Sequence, residues 1–341
     1  MTARYDVLII GAGPAGLACA KILAKAGKSV LVLEKNKKIG PKVCAGGLTS
    51  KDIKELNVPK KLIEFSFNDV ALHVNDKRCD IKNKDDYLFM IDREELGKHM
   101  QQIAKRNGAK IKKSCEVISI KSNHIITNEN KKIFFSYLVG ADGSASIVRR
   151  HLRLPSKKIG LAMHYVIKTK TKKAELFFDS KIFGSFYAWV FPHKDRTSIG
   201  TGCHLKAGDP SRLKKRFESW YKSKCFPKDA KYEAALINWD YRGWHFDNIF
   251  LVGDAAGLAS GFTGEGIYQA IISGQNAARK IIDPDEKQNG IDRCLKLKRK
   301  HELVLWLLDR NTFIRESLFR IGLRLFKYGF FQKKIIKIFS E

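Results

Sequence analysis

The chain has 341 residues, of which 44% are hydrophobic, so it is long enough for one large or two closely packed domains with a buried core. Its 64 basic residues against 35 acidic ones give a formal charge of +29, which predicts an anionic partner such as a membrane surface, a diphosphate or a nucleic acid. A surface that is simply rich in lysine is the alternative. The seven cysteines show no CxxC pair and no metal-ligand spacing, which argues against a disulfide scaffold or a metal centre.

Neither a targeting segment nor a membrane span is predicted. The first strand is expected to begin within five residues of Met1, which leaves no room for a signal peptide, and no run of 18 uncharged apolar residues follows. We therefore expect a cytoplasmic protein. Its basic charge would also allow a peripheral position on the inner face of the membrane.

A βαβ unit opens the chain. An apolar run leads into Gly11-x-Gly13-x-x-Gly16, a helical pattern follows, and a second apolar run ends at Glu34. The glycines permit a tight turn, close approach of a diphosphate to the backbone, and close packing of the helix on the sheet. Glu34 is placed to bind the ribose hydroxyls of an adenosine and to repel a 2′-phosphate. The spacing therefore predicts a dinucleotide site that takes FAD or NAD.

A basic, glycine-rich loop is predicted over residues 35–49. Gly46 and Gly47 would let the backbone approach a flat or phosphorylated ligand. Cys44 lies just before them, and Lys42 together with the adjacent backbone amides would favour a reactive thiolate there. The alternative is that Cys44 is a small buried apolar side chain.

The next elements also follow from periodicity and caps. Residues 51–91 are predicted to hold a short helix and half-buried strands, and residues 92–108 an aspartate-capped helix. Arg93 lies in the first turn of that helix, where it could reach a cofactor phosphate. Residues 109–140 have the pattern of a strand meander.

Two further glycine–acid turns each follow a predicted buried strand. The first contains Asp142 within Ala141-Asp142-Gly143, and the second contains Asp254 directly after Gly253. In an α/β sheet, ligands bind at the carboxyl ends of the strands. We therefore expect both aspartates to contact cofactor hydroxyls or the diphosphate.

Residues 156–242 are mainly of period two and rich in aromatic side chains, which predicts a β-sheet domain. Tyr187, Trp189 and Phe191 would share one face of a strand that ends at Pro192. They would either face a substrate or fill the core of the sheet. In the first case Tyr187 and Trp189 would shelter developing positive charge through cation–π attraction.

The C-terminal stretch 303–339 is predicted to be helical. It carries an apolar row at helical spacing, formed by Ile314, Leu318, Ile321 and Leu325, beside a basic stripe. Such a helix can lie in a bilayer interface or pack its apolar row on the body of the protein. The pattern leaves both readings open.

The three glycine motifs together resemble the signature of FAD enzymes of the aromatic-hydroxylase fold group. Within that group, KVCAGG at 42–47, YAWVFP at 187–192 and GFTGEGI at 261–267 resemble the geranylgeranyl reductase family, and the resemblance covers roughly residues 4–285. One departure is His193, at a position where that pattern leads us to expect lysine. The resemblance implies an α/β fold with a Rossmann-like FAD-binding domain, an inserted antiparallel β-sheet substrate domain and C-terminal helices.

The predicted FAD-binding domain is discontinuous. It comprises residues 1–64, 92–155 and 243–285, the substrate domain comprises 65–91 and 156–242, and the basic amphipathic helices comprise 286–341.

The resemblance implies an enzyme that saturates double bonds of an isoprenoid, geranylgeranyl-type chain on a lipid, quinone or diphosphate by hydride transfer from reduced flavin. FAD would be the cofactor, with NADPH, NADH or ferredoxin as a transient electron donor. An isoprenoid or lipid would be the substrate, residues 310–341 could bind an anionic membrane surface, and no nucleic acid or metal is expected. The pattern leaves the oligomeric state open. The alternative is an FAD-dependent monooxygenase or halogenase, because YAWVFP also resembles the halogenase WxWxIP pattern.

The same resemblance implies the site residues. Cys44, Tyr187 and Trp189 would be catalytic. The FAD contacts would be Gly11, Gly13, Pro14, Ala15, Gly16, Glu34, Lys35, Cys44, Ala45, Gly46, Arg93, Val117, Ala141, Asp142, Gly143, Gly253, Asp254, Gly264, Gly266 and Ile267. Arg93 and Asp254 would contact the ribityl-phosphate portion, and residues 264–267 would lie along the isoalloxazine ring with Cys44 facing it.

Overall fold

The computed structural model describes residues 3–205 and 209–340, in which strands and helices alternate along most of the chain. In chain order the strands are β1 (Ala3–Ile10), β2 (Val30–Leu33), β3 (Gly47–Thr49), β4 (Ile63–Phe67), β5 (Asp69–Val74), β6 (Lys77–Lys82), β7 (Leu88–Ile91), β8 (Lys110–Lys112), β9 (Val117–Ile120), β10 (His124–Thr127), β11 (Lys132–Gly140), β12 (Ile159–Ile167), β13 (Ala174–Phe178), β14 (Ala188–Pro192), β15 (Thr197–His204), β16 (Ala230–Asn238), β17 (His245–Phe246) and β18 (Ile249–Leu251). The helices are α1 (Pro14–Lys25), α2 (Ser50–Leu56), α3 (Arg93–Arg106), α4 (Ile147–His151), α5 (Ser180–Phe183), α6 (Pro210–Ser223), α7 (Ile267–Ile282), α8 (Asn289–Arg310), α9 (Thr312–Leu325) and α10 (Gly329–Ser340).

The first sheet has a parallel centre. Its strand order is β17-β18-β11-β1-β2-β8, and β10 and β9 continue it from β11 in antiparallel pairing. β1 pairs in parallel with both β2 and β11, so the N-terminal βαβ unit forms as the glycine spacing predicts. Pro14 opens α1, where its missing N–H leaves no helical hydrogen bond unmade.

The second sheet is antiparallel apart from one pair. Its order is β16-β12-β15-β14-β13-β5-β6, and only β13 and β5 run parallel among the described strands. A third, short sheet has the order β3-β7-β4. The two large sheets and the C-terminal helices agree with the predicted α/β fold class, which the structural comparison below confirms.

The predicted substrate segment 65–91 is divided between two sheets. β5 and β6 belong to the second large sheet, whereas β7 pairs with β3 and β4 in the short sheet. β3 itself lies at the end of the segment expected to be loop. The boundaries as such stay a prediction.

Helix α6 lies inside the region predicted to be a β-sheet domain of mainly period two. Asp209 caps it by accepting a hydrogen bond from the Ser211 N–H, and Pro210 occupies its first turn. Its buried side chains Leu213, Phe217, Trp220 and Tyr221 recur at helical spacing and cover one face of the second sheet. The sequence analysis did not predict this helix of fourteen residues, because the period of two in the flanking strands dominates the pattern of the region.

The C-terminal helices form as predicted, but a different face of α9 packs. Phe319, Leu323 and Phe326 contact the apolar side of β5 and β6, where Leu323 is buried. The apolar row named in the sequence analysis lies on another face, and Ile321 is 50% exposed, so this row does not pack as a whole on the body of the protein. In the described part of the chain, we find no helix with the length and apolar character needed to span a membrane.

Candidate active site

Three parallel strands end side by side in the first sheet. Ile10 in β1 is aligned with Gly140 in β11, and Gly140 is aligned with Leu251 in β18. The three glycine motifs follow these ends, starting at Gly11, Ala141 and Gly253. The register therefore brings the motifs together at one edge of the sheet, where ligands of α/β folds bind.

The glycines of the first turn have different tasks. A Cβ on Gly11 would lie 2.3 Å from the Ala141 carbonyl oxygen, and a Cβ on Gly16 would lie 2.1 Å from the Gly11 carbonyl oxygen. Both positions therefore need glycine for the fold itself. A Cβ on Gly13 would meet no protein atom within 4 Å. Gly13 thus borders open space at the N-terminus of α1, which has no side-chain cap.

Glu34 closes the turn from the other side. Its Oε2 accepts a hydrogen bond from the Ala12 N–H at 2.9 Å, and its Oε1 accepts one from the Asn36 N–H at 2.9 Å. The Cys115 N–H donates to the Glu34 carbonyl oxygen at 2.9 Å, which places Val117 two residues from this contact. Val117 itself is buried at the start of β9.

The two carboxylate oxygens of Asp142 differ in their hydrogen bonding. Its Oδ2 accepts from the Ile147 N–H at 2.6 Å, at the start of α4. Its Oδ1 is buried and has no hydrogen-bond partner among the described residues. Burial raises the pKa of the Asp142 carboxyl.

Arg93 is the second group with unmet hydrogen bonds. It lies in the first turn of α3, as predicted, and Asp92 caps that helix by accepting from two backbone N–H groups. The Nε and Nη1 atoms of Arg93 are buried, and no described residue accepts from them. Buried guanidinium donors without a partner are costly unless a ligand accepts from them.

The Asp254 carboxylate links the Cys44 loop to the turn that follows β11. Its Oδ2 accepts from the Lys42 Nζ at 2.8 Å and from the Ser144 Oγ at 3.1 Å. The Asn238 side chain donates to the Asp254 carbonyl oxygen at 2.9 Å. The sequence analysis assigned Lys42 to the Cys44 thiol, whereas its ammonium is paired with Asp254.

The Cys44 loop rests on a histidine. The Gly46 N–H lies 3.4 Å from the Cys44 Sγ, so a backbone amide contacts the sulfur as expected. Beneath the loop, the His193 Nε2 lies 2.9 Å from the Ala45 carbonyl oxygen, and its Nδ1 contacts the Glu64 carboxylate. A Cβ on Gly46 would lie 2.3 Å from the His193 ring. Sequence reasoning noted His193 only as a departure from a pattern and missed that it supports the loop.

Tyr187 and Trp189 lie on one face of the second sheet, as predicted. Their ring centroids are 6.5 Å apart, while the alternating residues Ala188 and Val190 are buried in the cluster that contains the α6 side chains. The Tyr187 hydroxyl donates to the Thr263 carbonyl oxygen at 2.6 Å. This bond joins the aromatic strand to the loop of residues 261–267.

Helix α8 contacts the residues that directly precede the loop of residues 261–267. The Lys298 Nζ donates to the Ala259 carbonyl oxygen at 3.2 Å, and the His301 Nδ1 lies 2.9 Å from the Ser260 Oγ. The His204 Nε2 lies 3.1 Å from the Gly261 carbonyl oxygen. Burial lowers the pKa of His301 to about 4. None of these contacts could be seen in the sequence, because each joins residues more than thirty positions apart.

A family model described as FAD binding domain matches residues 4–178. This chain belongs to that FAD-binding family. The matched residues include the first two glycine motifs, the Cys44 loop and Arg93. FAD is therefore the cofactor, as the resemblance predicted, whereas the spacing alone left FAD and NAD open.

Relatives of this FAD-binding chain agree with the resemblance to geranylgeranyl reductases. The geranylgeranyl diphosphate reductase of Rhodobacter capsulatus is 29% identical over 302 residues, which cover 82% of this chain and 75% of that protein. Digeranylgeranylglycerophospholipid reductase 2 of Methanosphaera stadtmanae is 28% identical, with 87% of this chain and 83% of that protein covered.

A solved structure shows the same fold. The geranylgeranyl bacteriochlorophyll reductase-like protein of Thermoplasma acidophilum superposes with a TM-score of 0.79 at 21% identity, over 96% of this chain and 92% of that one. The predicted architecture, a Rossmann-like FAD-binding part with an antiparallel sheet and C-terminal helices, is confirmed by this match.

The residues present fit FAD. The uncapped N-terminus of α1 and the unpaired donors of Arg93 suit its phosphates, and the buried Oδ1 of Asp142 suits a hydroxyl. The remaining predicted contacts lie on the same elements: Pro14 and Ala15 in α1, Lys35 and Ala45 on the loop, Gly143 and Gly253 in the turns, and Gly264, Gly266 and Ile267 before and at the start of α7. The individual contacts with FAD stay a prediction.

Proposed function

We propose that this chain is an FAD-dependent reductase that saturates double bonds of an isoprenoid chain on a lipid, quinone or diphosphate. The observation that carries the proposal is the bond between Tyr187 and Thr263. It joins the YAWVFP strand to the GFTGEGI loop, and the Lys42–Asp254 pair joins the KVCAGG loop to the same edge. The segments that resemble the reductase family thus meet in space. The names of the relatives, which are reductases of geranylgeranyl groups, support the same substrate class.

When bound, FAD supplies the two-electron chemistry of the reduction. The residues of this chain bind and orient it. Gly13 leaves room for the diphosphate beside the N–H groups of α1, and Arg93 offers donors to a phosphate. We assign the ribose hydroxyls to Glu34 and the face beside Cys44 to the isoalloxazine ring. NADPH, NADH or ferredoxin would donate electrons transiently.

Tyr187 and Trp189 would act on the substrate through their ring faces. An isolated alkene accepts hydride poorly, so positive charge develops on carbon and needs shelter, and a desolvated cation–π contact contributes about 2 kcal/mol. The Tyr187 hydroxyl is already committed to the Thr263 carbonyl, and burial raises the pKa of the phenol. We therefore assign Tyr187 to electrostatic stabilisation and not to proton donation.

We further propose that the C-terminal helices bind an anionic membrane surface, from which a lipid-linked substrate would be taken. Trp306 on α8 is 54% exposed, Phe313 is 79% exposed and Ile321 on α9 is 50% exposed. The exposed Arg320 and Arg324 lie on the same helix α9. Exposed apolar side chains flanked by basic ones are typical of interfacial helices. The surface begins at Leu303, before the segment 310–341 to which the sequence analysis assigned it.

The activity is tested on the purified holoenzyme without oxygen. The flavin is reduced with dithionite, geranylgeranyl diphosphate is added, and flavin absorbance near 450 nm is followed, a wavelength typical of the cofactor. Reoxidation with a product heavier by two hydrogens per bond is expected. A monooxygenase or halogenase would be reoxidised only after oxygen is admitted, and that result would overturn the proposal. A Trp189→Ala variant with unchanged flavin content should reduce the alkene more slowly.

A further inference from the structure

The face of the second sheet opposite α6 carries a row of hydrogen-bonding side chains across four neighbouring strands, and the two in its middle are buried. From the edge inward these are Glu233 on β16, His164 on β12, Ser198 on β15 and Trp189 on β14. His164 and Ser198 are each 3% exposed. Because Trp189 is on this face with Tyr187, the row lies on the side of the sheet that contacts the loop of residues 261–267.

The four side chains form one hydrogen-bonded chain. The Trp189 Nε1 lies 3.0 Å from the Ser198 Oγ, and the Ser198 Oγ lies 2.8 Å from the His164 Nδ1. The His164 Nε2 lies 3.1 Å from a carboxylate oxygen of Glu233. At its outer end, Glu233 pairs with Lys231.

Donor and acceptor roles along this chain follow from its two ends and from the protonation state of His164. An indole N–H can only donate and a carboxylate can only accept, so the Ser198 oxygen accepts from Trp189, and the His164 Nε2 carries a hydrogen that it donates to Glu233. Burial lowers the pKa of His164, so above pH 6.5 the neutral imidazole predominates and its Nδ1 accepts the hydrogen of the Ser198 hydroxyl. In this state the Trp189 indole lies at one end of a fully oriented row.

Gly200 provides the space for this row. It is aligned with both His164 and Trp189, and a Cβ there would lie 2.2 Å from the Trp189 Cζ2 and 2.6 Å from the His164 Cβ. The indole thus lies over β15 where a side chain is missing, and its Nε1 reaches Ser198, two residues from Gly200 on the same strand. Neither Ser198, His164 nor Glu233 is part of the motifs that carry the family resemblance.

We propose that Ser198, His164 and Glu233 are positioning residues that hold the indole of Trp189 in one orientation toward the substrate. The inference rests on the proposed function, which assigns Trp189 to the substrate. It deepens that function by naming the residues that set the geometry of the aromatic face. A group whose ring face must meet a developing charge needs a fixed orientation, and a displacement of about 1 Å can cost roughly 100-fold in rate.

The row also predicts a response to pH. Burial lowers the pKa of His164, Glu233 opposes this, and the charges of His193 and Lys231 add to the lowering. When His164 becomes protonated, its Nδ1 must donate to the Ser198 oxygen, and the serine hydrogen must turn away. The environment of the Trp189 N–H should therefore change with a midpoint below the ordinary imidazole value of 6.5.

The experiment uses the FAD-loaded protein labelled with 5-fluorotryptophan, in which the five tryptophans give separate 19F signals. Loss of one signal in Trp189→Phe assigns it. In the unaltered protein this signal should move with pH, with a midpoint below 6.5. Ser198→Ala and His164→Asn should abolish the movement, and Ser198→Thr, which keeps the hydroxyl, should retain it. Cys203→Ala, on the opposite face of β15, is the matched control and should leave the signal unchanged.

Kinetics with geranylgeranyl diphosphate complete the test. Ser198→Ala should lower kcat by roughly 10- to 100-fold with KM little changed, and Ser198→Thr should restore it. A Trp189 signal that does not titrate, or titrates equally in Ser198→Ala, would overturn the proposal. So would an unchanged kcat in that variant. If the unaltered protein shows no reduction of any isoprenoid while the signal titrates as expected, the hydrogen-bonded row is supported and the proposed function is overturned.

Discussion

The Lys42 ammonium lies 2.8 Å from the Asp254 carboxylate, although 212 positions separate the two residues. The pair fastens the loop that carries Cys44 to the turn after β18. Lys42 is half exposed, so the pair contributes only about 0.2–1 kcal/mol to holding the loop. Its effect should appear in the mobility of the loop and not in the stability of the fold.

We therefore expect Lys42→Ala to expose the Cys44 thiol more often. In a Cys225→Ser background, which removes the exposed cysteine, the rate of Cys44 modification by a disulfide reagent should rise about two- to fivefold. Lys38→Ala on the same loop, which breaks a pair with Glu94, is the matched control. Equal rates in both variants would show that the Asp254 pair does not restrain the loop.

Alanine substitutions at two glycines of the first turn should affect different properties, FAD affinity at Gly13 and stability at Gly16. Gly13→Ala adds a methyl group to open space, so the fold should survive while FAD affinity falls roughly tenfold or more, as expected when a charge-assisted hydrogen bond is lost. Gly16→Ala forces a methyl group onto the Gly11 carbonyl oxygen and should destabilise the fold by about 1–3 kcal/mol. Flavin titration and urea unfolding of the FAD-free proteins separate the two effects. A Gly13→Ala protein that binds FAD normally would place the diphosphate elsewhere.

Arg93→Met should weaken FAD binding without weakening the FAD-free protein. The variant removes buried donors that no described residue satisfies, so the Tm of the FAD-free form should stay the same or rise. The Kd for FAD should increase roughly 10- to 100-fold, because hydrogen bonds to charged groups contribute about 1.5–3 kcal/mol. Arg106→Met, at the far end of the same helix, is the control. A fall in the Tm of the FAD-free variant would mean that Arg93 serves the fold.

The buried His301 should make the protein sensitive to acid. In the unfolded chain a histidine binds its proton near pH 6.5, whereas in the folded protein the pKa of His301 is about 4. Between these values the unfolded state binds more protons, so the free energy of unfolding falls as pH falls. The unaltered protein should lose about 3 kcal/mol more than His301→Asn between pH 6.5 and pH 4. Parallel urea titrations at several pH values measure this difference, and identical pH profiles would contradict it.

Vesicle binding should depend on the exposed side chains of α8 and α9. A Trp306→Ser, Phe313→Ser, Ile321→Ser variant should bind vesicles containing phosphatidylglycerol at least tenfold more weakly, since each apolar side chain contributes about 1.5–3 kcal/mol when buried. These side chains are exposed, so the fold should be retained, whereas deletion of the helices would uncover the sheet beneath Leu323. Ile118→Ser, at another exposed position, is the control. Unchanged binding of the triple variant in low salt would exclude this surface.

The parts of the candidate site that could be predicted from the sequence are local features, each formed by residues that are close together in the chain. The turn at Gly11, the capped start of α3 beside Arg93 and the turn at Asp142 each depend on a few consecutive positions. His193 beneath the Cys44 loop and His301 beneath Ser260 depend on contacts across the fold, and a single sequence does not contain them. The family resemblance supplied the cofactor and the substrate class but not these supports.

Helix α9 shows a second kind of limit. It carries two apolar rows, one with Leu323 and one with Ile321, and both have helical spacing. Only the position of β5 and β6 decides which row is buried. In the same way, α6 was hidden between strands of period two, although Asp209 and Pro210 were a readable start signal.

The contacts of α8 with Ala259 and Ser260 have a consequence for biosynthesis. Chains fold as they leave the ribosome, beginning with the N-terminal part. The glycine turn and Glu34 can be in place early, but the loop before α7 receives its Lys298 and His301 contacts only after α8 has been synthesised. A ribosome-bound chain that stops short of α8 would therefore carry the residues proposed to bind adenosine, while the loop proposed to contact the flavin would lack its supports. FAD would be captured firmly only near the end of translation.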